Sequence, residues 1–105
     1  MPARTPRMAQ IEALLADEPG DAFLRYGLAM EHASAGDDGA AADHLLRLIN
    51  DSTYVPAFLM AGQILNRLNR VDEAIAVLRR GIAAAKEQGN AHAEGEMAGL
   101  LASIE

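Results

Sequence analysis

The sequence predicts an all-α protein, and its composition and spacing support this. The chain has 105 residues, of which 50% are hydrophobic and only 4% aromatic. Alanine, the best helix former, dominates together with leucine, arginine, glutamate and methionine, whereas β-branched residues are sparse. Clusters of helix-breaking residues separate segments of helical length at 19–21, 36–39, 50–53, 69–72 and 88–90. These clusters imply six helices.

The first three helices occupy the N-terminal half of the chain. The first is predicted over about 8–16, the second from Asp21 to about Ser34 and the third over about 39–49. Asp21 and Asp38 are expected to cap the second and third helices, because a side-chain oxygen there accepts a hydrogen bond from a first-turn amide. Residues at helical spacing are predicted to face inward: Ile11, Leu14 and Leu15; Phe23, Tyr26, Gly27 and Met30; Leu45, Leu48 and Ile49.

The last three helices follow the same reasoning. The fourth begins near Pro56, since proline is tolerated in a first turn. The fifth runs from its predicted cap Asp72 to about Glu87, and the sixth covers about 91–104. The residues predicted to face inward are Phe58, Ala61, Gly62 and Leu65; Ile75, Leu78, Ile82 and Ala85; Met97, Leu100, Leu101 and Ile104.

The chain contains an internal repeat. Phe23 and Phe58 are 35 residues apart, and each precedes a glycine, Gly27 or Gly62, by four residues. A second element recurs after 33 residues, as Ala41 followed by Leu45 and then Ala74 followed by Leu78. A period of this length is typical of helical repeat proteins. The sequence therefore predicts one helical hairpin used twice.

The repeated glycines predict close contacts between helices. A glycine inside a helix costs about 1 kcal/mol relative to alanine, so Gly27 and Gly62 each indicate a neighbouring helix too near for a side chain. Phe23 and Phe58 are expected to fill the space between successive hairpins. Because Gly27 precedes Ala41 by two residues more than Gly62 precedes Ala74, we expect a longer turn in the first hairpin.

These positions resemble the tetratricopeptide repeat family. Its pattern is matched by Phe58, Ala61, Gly62, Leu65, Ala74 and Leu78, and again from Phe23 to Leu45. The resemblance implies antiparallel helical hairpins stacked as a short right-handed superhelix, in a single domain over 8–105. Within it, 8–17 is the N-terminal helix, 20–54 and 55–90 are the repeats, and 91–105 is a capping helix. Residues 1–7, with two prolines and no apolar stripe, are expected to be disordered.

The sequence contains no recognisable catalytic or metal-binding motif. There is no cysteine, no glycine-rich loop followed by lysine, and His32, His44 and His92 fall on three predicted helices. His92 and Glu96, four residues apart, are predicted to form a surface pair. The net charge of −6 disfavours nucleic acid, and no apolar run is long enough to cross a membrane. We therefore predict a cytoplasmic, non-enzymatic protein that needs no cofactor or metal.

The family resemblance implies a binding groove on the concave face, lined by the first helix of each repeat and receiving a peptide or partner protein. Exposed leucine and methionine there favour an apolar or amphipathic peptide. The alternative is that Leu24, Leu28 and Leu59 are buried against the first and last helices and leave no open groove. By helix position the lining residues are Leu24, Leu28, Glu31 and His32, then Leu59, Met60, Gln63, Asn66 and Arg67.

Charge is unevenly distributed and suggests a second surface. Residues 53–90 carry five basic and three acidic residues, against four and nine in residues 1–52. The basic residues are Arg67, Arg70, Arg79, Arg80 and Lys86. They form a docking patch for an acidic partner, a docking patch for the acidic first repeat of another copy arranged head to tail, or an ordinary solvated surface. Self-association into a homodimer, through Ile11, Leu14 and Leu15 and through Leu100, Leu101 and Ile104, is the alternative function.

Overall fold

The computed structural model describes residues 4–105, and within that range all regular structure is α-helical. The six predicted helices are present: α1 (Pro6–Asp17), α2 (Ala22–Ser34), α3 (Asp38–Asp51), α4 (Val55–Arg67), α5 (Val71–Glu87) and α6 (Ala91–Ile104). They form two compact units, the first ending at Ser52 and the second covering Thr53–Glu105. In the first unit α2 packs on α1 and α3, and in the second α4, α5 and α6 pack on one another.

The helices of the first unit are capped by side chains. Thr5 accepts a hydrogen bond from the Met8 amide, and Asp21 accepts one from the Leu24 amide. The cap of α3 is Asp37, which accepts from Ala40 at 3.0 Å, and not Asp38 as the sequence suggested. Asp38 is instead the first helical residue.

The first helix begins earlier than predicted. Pro6 and Arg7, which we expected to be disordered, lie in the first turn of α1, because Thr5 caps the helix and proline is suited to this position. The remainder of the predicted disordered segment includes residues 1–3, which lie outside the described residues.

The core of the first unit differs from the prediction at Phe23. Leu45, Leu48 and Ile49 of α3 are buried as expected, but Phe23 is 70% exposed. Leu28 and Ala29 are the buried residues of α2 instead. The inner face of α2 is therefore rotated away from the face that the repeat pattern indicated.

In the second unit, α6 has a side-chain N-cap hydrogen bond, whereas α4 and α5 do not. Asn90 accepts a hydrogen bond from the Ala93 amide at the start of α6. The N-cap of α5 is Arg70, whose side chain makes no capping hydrogen bond, so the predicted cap Asp72 is wrong. Asp72 lies in the first turn of α5, where its charge favours the helix dipole.

The core of the second unit contains two close helix contacts at glycines. A Cβ atom on Gly62 would lie 2.5 Å from Cδ2 of Leu78, which confirms the predicted close approach. Gly81 of α5 is a second such position, which the sequence analysis missed. A Cβ atom there would lie 2.6 Å from Cβ of Phe58 and 2.5 Å from Sδ of Met97. Phe58 is accordingly buried, with 3% of its surface exposed.

The exposure of Phe23 has an explanation in the repeat itself. Helices α2 and α4 both have 13 residues, and α2 and α3 begin 33 residues before α4 and α5. With this period Phe23 matches Pro56, which is also exposed, and Phe58 matches Arg25. The 35-residue spacing of the two phenylalanines is therefore not the period of the structure, and they do not occupy equivalent positions.

Two further predictions about the first repeat are wrong. A Cβ atom on Gly27 would meet only Cδ1 of Ile11, at 3.7 Å, which is an ordinary van der Waals contact. Gly27 therefore marks no tight approach. The first turn is also no longer than the second, because three residues join α2 to α3 and three join α4 to α5. Helices α2 and α4 both have 13 residues, and Gly27 and Gly62 differ only in their positions along them, the sixth in α2 and the eighth in α4.

The turns after α2, α4 and α5 share one backbone motif. Gly36, Asn69 and Gly89 have φ of 83°, 61° and 70°. In each turn the next residue donates its amide to a carbonyl five residues earlier: Asp37 to His32, Arg70 to Leu65 and Asn90 to Ala85, at 2.8 to 2.9 Å. This is the Schellman motif, which satisfies the last carbonyls of a helix.

Candidate partner-binding surfaces

A cavity of about 230 Å³ lies in the second unit between α4 and α6. Its walls are mainly apolar, with His92 and Glu96 adding a polar edge: Val55, Pro56, Leu59, Asn90, His92, Ala93 and Glu96. Nε2 of His92 is 3.0 Å from Oε1 of Glu96, which confirms the predicted surface pair. Of the predicted groove residues, Leu59 lines this cavity. The residues that α6 contributes were not predicted, because the family resemblance places the groove on the first helix of each repeat.

The other predicted groove residues of α4 lie on the same helix as Leu59. Met60, Gln63 and Asn66 are half-buried and Arg67 is exposed. Half-burial leaves part of each side chain accessible while packing fixes the rest. The helix therefore presents a strip with an apolar residue, two amides and a cation.

The predicted groove residues of α2 make contacts within the first unit. Leu24 is half-buried, and Leu28 is buried, with 6% of its surface exposed. Glu31 accepts hydrogen bonds from Thr5 at 3.3 Å and from Arg7 at 3.4 Å. The ring of His32 stacks on His44 of α3. Sequence spacing along α2 gave no information about these neighbours on α1 and α3.

The predicted basic residues are mostly engaged by other side chains. Arg70 donates two hydrogen bonds of 2.8 Å to Glu73, which lowers the pKa of the glutamate. Arg79 and Lys86 lie 3.4 Å and 3.9 Å from the carboxylates of Glu105 and Glu94. Glu94 lies in α6 and Glu105 directly follows that helix, so both lie outside residues 53–90 and the charge count over that range overstated how basic this surface is.

The other two predicted basic residues are Arg80 and Arg67. The guanidinium of Arg80 lies 5.7 Å from the centre of the Phe58 ring, in cation–π geometry. Arg67 is exposed at the end of α4.

A histidine pair connects α2 and α3. The ring centres of His32 and His44 are 4.9 Å apart, with the planes inclined by 15°. Burial lowers the pKa of His44, and the electrostatic interactions with His32, Arg47 and Arg25 add to this, while Asp43 opposes it. The sequence placed these histidines on separate helices, but it did not bring them together. Their positions near the ends of the α2–α3 connection were the available signal.

Neither a metal-ion site nor a membrane-spanning helix is found in the described part of the chain. Across residues 4–105, no group of three or more histidine or acidic side chains is placed to hold a metal ion. In that same range, every helix is too short or too polar to cross a membrane.

Helices joined by short, repeated turns, with a small residue at the tight contact, define a helical repeat protein. The family model for the tetratricopeptide repeat matches residues 2–57, and the chain belongs to this family. It is 30% identical over 96 residues to a TPR repeat-containing protein of Pseudomonas aeruginosa, covering 90% of this chain and 91% of that protein.

Solved structures of the same family share the fold. The solution structure of a tetratricopeptide repeat domain protein from Salinibacter ruber has a TM-score of 0.78 and 31% identity, covering 83% of this chain and 89% of that one. A crystal structure of a tetratricopeptide repeat domain protein from Salinibacter ruber has a TM-score of 0.76 and 29% identity, covering 80% and 94%. Tetratricopeptide repeats generally mediate interactions between proteins.

Proposed function

We propose that this protein is a non-enzymatic interaction module, a scaffold or adaptor, that binds an apolar or amphipathic peptide segment of a partner protein. The observation that carries the proposal is the cavity between α4 and α6, where Leu59 and Ala93 form the apolar wall. Its volume is below the roughly 300–1,000 Å³ of typical small-molecule sites. The cavity therefore suits one apolar side chain of a longer peptide.

The surroundings of the cavity support a peptide ligand. The paired His92 and Glu96 provide a polar edge that can bond to a peptide backbone, and Gln63 and Asn66 add amide groups along α4. An apolar anchor within a polar rim is the arrangement in which interfaces concentrate their binding energy.

Selection of a random peptide library on the purified protein tests the proposal. Peptides with an apolar anchor residue are expected to emerge, with affinities measurable by fluorescence polarisation. Leu59→Ser removes part of the wall and Ala93→Leu fills the cavity, so each is expected to weaken binding at least about tenfold, or 1.4 kcal/mol. Val71→Ser is the matched control, because Val71 is an exposed apolar residue of the same unit that does not line the cavity.

The result that contradicts the proposal is equally specific. Circular dichroism melting of each variant first establishes that it is folded. If the selected peptides then bind Leu59→Ser and Ala93→Leu as tightly as wild type, the cavity is not the binding site. If repeated selections yield no peptide, peptide recognition itself is wrong.

Self-association is the second candidate, and it rests on the first helix. Leu14 is 54% exposed, and its neighbours Ile11 and Leu15 are half-buried. On α6 the corresponding residues Leu100, Leu101 and Ile104 are all half-buried. Light scattering over a concentration series tests this candidate. A mass of twice 11.1 kDa that Leu14→Lys returns to 11.1 kDa supports a homodimer, and a constant 11.1 kDa contradicts it.

A further inference from the structure

A second cavity, of about 240 Å³, lies in the first unit and differs in chemistry from the one between α4 and α6. It is formed by residues of α1, α2, α3 and the turn before α2. Leu15, Pro19 and Leu28 provide apolar wall, and Arg25, His44 and Arg47 provide nitrogen donors. No acidic residue lines it among the described residues. A cavity with this lining is suited to an anionic group attached to an apolar one.

Each of the two arginines makes a contact with a residue of α3. Nη2 of Arg25 lies 3.0 Å from Oδ2 of Asp51, and the Arg25 side chain is only 21% exposed. Nε of Arg47 donates to the carbonyl oxygen of Asp43, 3.3 Å away. A guanidinium has five N–H donors, so either arginine can keep its present partner and still bind a carboxylate.

His44 shows that positive charge converges on the cavity. Both arginines contribute to lowering its pKa, after burial and the charge of His32, and only Asp43 opposes them. Electrostatics at this wall therefore favour an incoming negative charge. The ring of His44 stacks on the ring of His32, which sets its orientation at the cavity wall.

We propose that this cavity binds a carboxylate carried on a small apolar group, with Arg47 and Arg25 holding the carboxylate and Leu15 and Leu28 contacting the apolar part. The cavity volume limits the ligand to about the size of one amino-acid residue. Such a group exists both as a free carboxylic acid and as the C-terminal residue of a peptide. The site lies in the other unit from the peptide cavity, so the proposal does not depend on the proposed function.

The test compares a carboxylate with its neutral counterpart. N-acetyl-leucine and N-acetyl-leucinamide are titrated into the full-length 15N-labelled protein, and amide chemical shifts are followed by NMR. A ligand of this size is expected to bind with a Kd of the order of 1 mM. N-acetyl-leucinamide is expected to bind at least ten times more weakly, because it lacks the charge that the guanidinium groups recognise.

Variants locate the site. Arg47→Gln is expected to weaken N-acetyl-leucine binding at least tenfold, and Arg47→Lys less, since lysine keeps the charge without the planar donor pair. Arg79→Gln, an exposed arginine of the second unit, is the control and is expected to leave binding unchanged. Dispersed NMR spectra establish that each variant is folded. Three results would overturn the proposal. They are equal binding of N-acetyl-leucine and N-acetyl-leucinamide, loss of binding in Arg79→Gln alone, and no binding of N-acetyl-leucine at about 50 mM, which is about 50 times the expected Kd.

The two sources of the carboxylate are then separated. A nonapeptide ending in leucine is compared as the free acid and as the C-terminal amide. If the free acid binds more tightly than N-acetyl-leucine, the site takes a peptide C-terminus. If the peptide binds more weakly, the cavity takes a free small acid. Either result requires the same loss in Arg47→Gln.

Discussion

Alanine substitution of two glycines is expected to change stability in opposite directions. Gly27 and Gly81 both lie within helices, and alanine there gains about 1 kcal/mol of helix propensity. At Gly27 the new Cβ atom would lie 3.7 Å from Ile11, in ordinary contact. Gly27→Ala is therefore expected to stabilise the protein by about 1 kcal/mol.

The same change at Gly81 meets a rigid obstacle. The new Cβ atom would lie 2.6 Å from Cβ of Phe58, whereas carbon atoms prefer about 3.5–4.0 Å. Because that atom is attached directly to the α4 backbone, relief requires the helices to separate by about 1 Å. Overpacking of this kind costs about 1–3 kcal/mol. After the propensity gain, Gly81→Ala is expected to destabilise by about 1 kcal/mol.

Urea denaturation followed by circular dichroism measures both changes. With an m-value of about 2 kcal/mol/M, the midpoint is expected to rise by about 0.5 M in Gly27→Ala and to fall by about 0.5 M in Gly81→Ala. Gly99→Ala is the control for propensity alone, since Gly99 lies in α6 with no atom within 4 Å of a new Cβ. A lower midpoint in Gly27→Ala, or a Gly81→Ala midpoint as high as that of Gly99→Ala, would refute the packing argument.

Three further predictions concern packing, capping and pH. Phe58→Ala is expected to cost about 3–5 kcal/mol, whereas Phe23→Ala is expected to change the free energy of unfolding by less than about 0.5 kcal/mol, as urea midpoints will show. Asp37→Ala is expected to cost about 1 kcal/mol by loss of the α3 cap, and more than Asp72→Ala, in thermal melts. Because folding lowers the pKa of His44, the unfolded chain binds more protons there, so stability falls as the pH drops from about 7.5 to 5. His44→Gln is expected to flatten that fall in urea midpoints measured across this range, and an unchanged slope would contradict the assignment.

The sequence predicted the helices well because helix formation depends on local information. The helix-breaking residues, the apolar spacing, the cap Asp21 and the first-turn residue Pro56 all lie within a few positions of the helix ends that they mark. The errors at Asp38 and Asp72 are local too. Asp37 and Asp38 are adjacent at the first turn, and Asp72 follows Arg70 by two residues at the second, so the position of the cap is decided by the backbone conformation of the preceding turn.

Packing was harder to predict because it depends on residues far apart in sequence. The repeat pattern treated Phe23 and Phe58 alike, yet Phe58 packs against Gly81 of α5, whereas Phe23 lies at the second position of α2 and is exposed. Gly27 and Gly62 likewise looked equivalent, but they are the sixth and eighth residues of helices of equal length. A repeat consensus describes the residue on one side of such a contact and does not specify the residue that packs against it.

The candidate sites were predicted least well. Leu59 was placed in a groove by resemblance, but its cavity also needs Ala93 and His92 from α6. The cavity of the first unit combines Arg25 and Arg47 from different helices, and no spacing rule in the sequence joins them.

The Schellman turns have a consequence for how the chain folds. In the turn after α2, the backbone amide of Asp37 closes one helix while its side chain opens the next. Asn90 does the same between α5 and α6. One residue thus both stops one helix and starts the next, so these two turns are specified by neighbours in sequence. Proteins rich in such local contacts fold in microseconds to milliseconds, and folding of this protein is expected to begin at these turns.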